Sequence, residues 1–171
     1  MHELKQISKE AIAGALSRAE RYRLLNEPGE AESICRDVLA AEPDNQQAII
    51  MLILTMTDQF GRRQTAGVGP ARELLGRLRD EYERIYYAGV ISERWGKAET
   101  RRGVPGGVGQ EWLREAMHSF EKAIEIRPAG NEESLLRWNA CARLLNREEA
   151  RRGATEREPE PSLEDDEIPP R

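Results

Sequence analysis

Residues 115–128 read EAMHSFEKAIEIRP, with Ala116, Phe120 and Ala123 at steps of four and three and Pro128 five residues further on. That spacing puts two small side chains and one large one on a single helical face, and the proline ends the helix. With Trp112 and Leu113 upstream and Ile124 behind, the pattern predicts a helix over 110–126. The same steps recur at Ala31, Cys35, Val38 and Pro43, where they predict a helix over 30–41.

Working outward, Leu4, Ile7, Ala11, Ala15, Ala19, Tyr22 and Leu25 trace one face of a first helix, stopped by Pro28-Gly29. Asp44 followed by Gln47 resembles a capping box opening a third helix through Phe60. Its apolar residues at 48–54 go almost all round, so it needs neighbours on both sides. A Gly/Arg loop at 61–69 leads to Pro70 and a fourth helix carrying Ala71, Leu74, Leu75 and Leu78. Asp80 with Glu83 forms a second capping signal, opening a fifth helix through Tyr86, Tyr87, Val90, Ile91 and Trp95. The joint is so short that two helices and one long helix over 70–95 both fit. Glycines at 96, 103, 106, 107 and 109, with Pro105, predict a loop over 96–109. Asn131 then caps a seventh helix bearing Leu135, Leu136, Trp138, Cys141, Leu144 and Leu145.

The chain of 171 residues is 39% hydrophobic, 33% charged and 5% aromatic, which suits one all-α domain. Its net charge of -5 offers no overall positive field for nucleic acid or anionic lipid. Two well-separated cysteines, Cys35 and Cys141, suit a reducing cytoplasm. Residues 1–10 are polar, unlike a secretory signal, and the apolar run 48–56, interrupted by Thr55, is too short to span a membrane. Arginine outnumbers lysine 22 to 4, a bias associated with GC-rich bacterial coding. A helical body over 1–147 is expected to give way at 148–171 to an acidic, Pro-rich, disordered tail, where nine acids face four arginines.

The two four-three-five patterns, with Ala19 and Tyr22 in the partner helix, resemble the tetratricopeptide repeat, and Ala71, Leu75, Leu78 and Gly89 give a weaker third match. The resemblance covers about 11–146, as three repeats with long insertions in the second and third and a final unpaired helix. It implies helix hairpins stacked as a short right-handed solenoid, and an adaptor or scaffold that holds a peptide or helix of another protein in its concave groove, without catalysis or cofactor. The family's inward positions fall on Leu16, Glu20 and Arg23; on Ile50, Leu54 and Asp58; on Tyr86, Val90 and Glu93; and on Asn139 and Arg143. Tyr86 and Val90 are the expected partner anchor. Family members that hold chaperone carboxyl termini place Lys, Asn and Arg where this chain has Leu16, Glu20, Met51, Glu83 and Tyr87, so that specialised activity is not implied.

His2 and His118 are the only histidines, with no cysteines or acids at metal-ligand spacing, so neither a metal site nor a His-based nucleophile is expected. The glycine runs lack the lysine and preceding strand of a phosphate loop. If 61–69 and 96–109 are both loops on one edge, they gather Arg62, Arg63, Lys97, Arg101 and Arg102 into a basic edge suited to an anionic segment, of which the chain's own 164–167 run is one. The alternatives to an adaptor are a regulatory ligand- or nucleic-acid-binding module using those loops, and an enzyme acting there on a phosphorylated ligand.

Overall fold

The computed structural model describes residues 2–62, 67–104 and 107–155, the side chains of 152–155 excepted. Every regular element among them is helical, which establishes the all-α class: a 3-10 turn at Lys9–Ala11, then α1 (Ile12–Leu24), α2 (Pro28–Ala41), α3 (Gln46–Asp58), α4 (Gly69–Leu75), α5 (Glu81–Arg102), α6 (Val108–Ile126) and α7 (Glu133–Thr155). Among the described residues no helix is long and apolar enough to cross a membrane.

Each helix packs on the next, and α1, α3 and α5 also meet in series. The apolar girdle of α3 explains its central place: Ala48, Ile49 and Ile53 are wholly buried among α1, α2 and α5. Ala19, Ala31 and Cys35 close the first hairpin against it, and Ala116, Phe120, Ala123 and Cys141 build a second cluster where α5, α6 and α7 meet. Both sets of small residues that carry the four-three spacing are therefore contact positions.

Local chemistry sets the helix ends. The Asn45 side chain accepts from the Ala48 N–H at 2.9 Å, so the cap of α3 lies one residue after the expected Asp44. Asp80 caps α5 as expected, accepting from the Glu83 N–H at 2.8 Å, and this makes α4 and α5 separate helices. Pro28, expected to stop the first helix, opens α2 at a position where its missing N–H costs nothing. Leu4 and Ile7 precede α1 rather than joining it, and Leu4 is exposed.

The expected loop over 96–109 is mostly helix. α5 continues through Gly96 to Arg102 and ends at Gly103, whose φ of 67° is the left-handed cap conformation that glycine adopts without strain. Gly96 serves a close approach: a Cβ there would lie 2.8 Å from the Gly109 carbonyl oxygen, and one on Gly109 would lie 2.8 Å from that of Gly96. One turn pair earlier, a Cβ on Gly89 would lie 2.6 Å from the buried Phe120 ring. The two helices thus share the most extensive contact in the fold. The other displaced boundary is that of the tail: α7 runs to Thr155, eight residues beyond the expected limit at 147, and residues 156–171 lie outside the described residues.

Two expectations follow. Gly96→Ala gains roughly 1 kcal/mol of helix propensity but drives a methyl into backbone that cannot yield, so it should lower the unfolding free energy by about 1–3 kcal/mol. Gly14→Ala, with nothing within 4 Å on α1, should raise it; denaturant melts of both variants check the pair. Burial pushes the Cys35 thiol up to about 11 and the Cys141 thiol to about 12. Both should resist a thiol reagent at pH 8 until the chain unfolds, whereas fast labelling in the native state would contradict this packing.

Candidate functional site

The helices α1, α3, α5 and α7 join through a line of polar side chains. Arg23 of α1 donates its Nε to Asp58 Oδ2 at 2.7 Å, and Arg94 of α5 reaches the other oxygen of the same carboxylate. Arg94 also donates to the Thr57 hydroxyl at 2.7 Å and the Leu54 carbonyl at 3.2 Å, so its charge sits at the carbonyl end of α3. One residue before it, Glu93 is only 2% exposed and lies between two cations, Lys97 one turn on and Arg137 of α7 at 2.6 Å. Arg137 donates its Nε to the Tyr86 hydroxyl at 2.8 Å, and that hydroxyl donates to Glu133 at 3.3 Å.

Asp58 and Glu93 therefore have two cationic partners each, which offsets the desolvation that would otherwise forbid their charge. Burial pulls the Arg94 guanidinium below its ordinary range; Asp58 opposes this, while Arg137 and Arg23 add to it. For Arg137 burial acts in the same sense, but the Glu93 carboxylate and Tyr86 outweigh it and hold the group higher.

Between α3, α5 and α7 these groups line an open pocket of about 370 Å³, with Arg94, Lys97, Arg101 and Arg137 as its cations and Asp58 and Glu93 as its carboxylates. Arg101 is exposed and bonds to no described residue. A second depression, of about 400 Å³, lies at the other end of α5 and has the opposite character: Tyr82, Tyr86 and Tyr87 with Asp80, Glu83 and Glu133. Tyr82 and Tyr86 stack with ring centroids 5.6 Å apart. The Tyr86–Arg137 bond joins the walls of the two depressions.

Of the residues expected in the groove, Arg23, Asp58, Tyr86 and Glu93 belong to this line, and Glu20 is exposed one turn before Arg23. Leu16 is buried with Ile12 and Val38, while Ile50 and Leu54 pack half-buried against the cores. Val90 is fully buried and has no surface to offer a partner, and Tyr86, 8% exposed, is mainly a core ring against Phe120. The expected anchor is thus corrected to a packing pair, because α6 covers the face that α5 was expected to expose. On α7 Asn139 is half-buried and Arg143 exposed, while Glu133 and Arg137 are what the helix presents to α5. The signal for Arg137 was its place one turn before the buried Cys141.

Of the expected basic loop edge, the first segment does reach α5, where a Cβ on Gly61 would lie 3.5 Å from that of Ala98. Arg62 donates to the Asn26 side chain at 2.9 Å beside the α1–α2 turn, and Arg63 lies outside the described residues. Lys97, Arg101 and Arg102 are helical; Arg102 pairs with Glu99 at 3.1 Å and lies over the Trp95 ring. Among the described residues no group of three His, Cys, Asp or Glu side chains is placed to hold a metal ion.

Removing the Glu93 carboxylate leaves Lys97 and Arg137 facing each other without their common counter-charge. Glu93→Ala should cost about 3–5 kcal/mol of stability in a denaturant melt, far beyond the ~1 kcal/mol expected of an exposed pair such as Arg36–Glu32. The chain matches no family model, no curated protein and no solved structure.

Proposed function

We propose that this chain is a protein-interaction adaptor, a tetratricopeptide-like stack whose α1, α3, α5 and α7 face receives a peptide or helix of a partner protein, with binding rather than a chemical step as its role. The observation that carries the reading is the line of paired charges, half-exposed except for the buried Glu93 and the exposed Glu133, from Arg23 through Asp58, Arg94, Glu93 and Arg137 to Glu133. Four helices contribute to it, and it opens into two depressions of opposite sign, a surface able to orient an extended ligand by its charges. The serial contact of α1, α3 and α5 supports the stacked-hairpin reading, as do the small residues at Ala31, Gly89, Ala116 and Ala123 where helices meet. We place the adaptor in a bacterial cytoplasm, on the arginine bias and the two buried thiols.

A photo-crosslinking amino acid placed in the full chain tests this. At Glu20 or Arg101, on the charged face, it should capture one and the same second protein from the source cell. At Ser33 or Glu73, exposed on α2 and α4, it should not. Equal capture from both faces, or none from the charged face, would overturn the adaptor reading.

A further inference from the structure

The pocket between α3, α5 and α7 carries more positive charge than its own carboxylates can balance. Asp58 is shared by Arg23 and Arg94, Glu93 is shared by Lys97 and Arg137, and Arg101 adds a fifth cation bonded to no described residue. Arg23 lies outside the pocket lining, and the four cations that line it exceed its two carboxylates by two positive charges at one concave, partly desolvated site, where electrostatic interactions are stronger than on open surface.

The rest of the molecule makes this excess conspicuous. Residues 156–171 hold seven acids and two arginines, which is the whole net charge of -5, so residues 1–155 are neutral in sum. The most acidic run is Glu164-Asp165-Asp166-Glu167. No lysine occurs after Lys122, and no cation lies between Arg157 and Arg171 to neutralise that run locally.

The course of α7 brings the two together. Its Glu133 meets Tyr86 and its Arg137 meets Glu93, while Cys141 lies in the fields of Glu93 and Lys97. The helix therefore runs alongside α5 in the same direction and passes the pocket before it ends. Thr155 lies fourteen residues past Cys141, about 21 Å along the axis. Extended chain from Thr155 reaches about 30 Å at Glu164 and about 40 Å at Glu167, enough to return to Lys97 and Arg101.

We infer that this pocket is a binding site for an acidic peptide segment, and that the chain's own residues 160–167 are the segment that occupies it. Carboxylates of the run take up the free donors of Arg101 and the outward donors of Lys97 and Arg94, while Glu93 and Asp58 remain with their present partners. Tethering supplies the segment at an effective concentration that a free acidic peptide must exceed. The inference stands apart from the adaptor reading: the contact is within the chain and needs no partner.

The test compares amide and arginine Nε–H resonances of the isotope-labelled full chain with those of a full-length variant carrying Glu164→Gln, Asp165→Asn, Asp166→Asn and Glu167→Gln. At low ionic strength the two should differ at residues 93–101 and Arg137. The difference should vanish at about 0.5 M salt, where the screening length falls to roughly 4 Å, and should not change on dilution. Arg101→Glu, which breaks no contact among described residues, should shift the resonances of 160–167 to their high-salt positions. Arg18→Glu, the same charge change at an exposed site on α1, should leave them in place. Identical spectra for the two tails at low salt, or tail resonances indifferent to Arg101→Glu, would overturn the site. A difference that fades on dilution would overturn the assignment to the chain's own segment, since it would come from a second copy.

Discussion

Gly96 and Gly109 let the backbones of α5 and α6 approach until each one's carbonyl oxygen lies 2.8 Å from where the other's Cβ would be, and Gly89 admits the Phe120 ring in the same way. The backbone entropy that glycine loses argues against it inside a helix. Here the cost is offset by the most extensive helix contact in the fold, packed closely across the two backbones. The contact is what keeps α5 helical past residue 95. Without it Lys97 and Arg101 would not continue the line of Glu93 at one-turn intervals, and the pocket would lose its basic end.

That geometry fixes an electrostatic pattern. Glu93 sits in the fold's interior, where an isolated carboxylate would be expelled or neutralised. Two cations, one from its own helix and one from α7, hold it there and tie the last helix to the central one. Asp58 performs the same role between α1 and α5. Both carboxylates are structural ties that happen to face a concavity, and since each tie uses two cations, the face is left positive while the body as a whole is neutral. Stability and recognition here share the same side chains.

Much of the helix architecture was legible in the sequence. Periodicity gave every helix and the all-round apolar run of α3 gave its central place, while Asp80 offered a cap that left one or two helices open until the structure separated α4 from α5. The site was legible in part. Arg23, Asp58 and Glu93 came from an inward-facing register, but Arg94 and Arg137 did not, because an arginine on a helix surface looks the same whether it faces water or the next helix. Lys97 and Arg101 were assigned to a loop for a physical reason: glycine propensity describes an isolated helix and contains no information about a second backbone arriving at van der Waals distance.

The sequence by itself determined which segments are helical apart from 96–102 and 148–155, which residues are small enough to lie at helix contacts, and that the chain's net negative charge resides in its last segment. Those properties depend on residues near one another along the chain. The tertiary structure alone decided that α5 runs through Gly96, that Tyr86 and Val90 serve the core, and that cations from α1, α5 and α7 gather around two carboxylates. Each depends on residues of different helices, 13 positions apart for Gly96 and Gly109 and 51 for Tyr86 and Arg137, meeting in space, where partner helices, not local preference, determine which face is covered and which charge is paired.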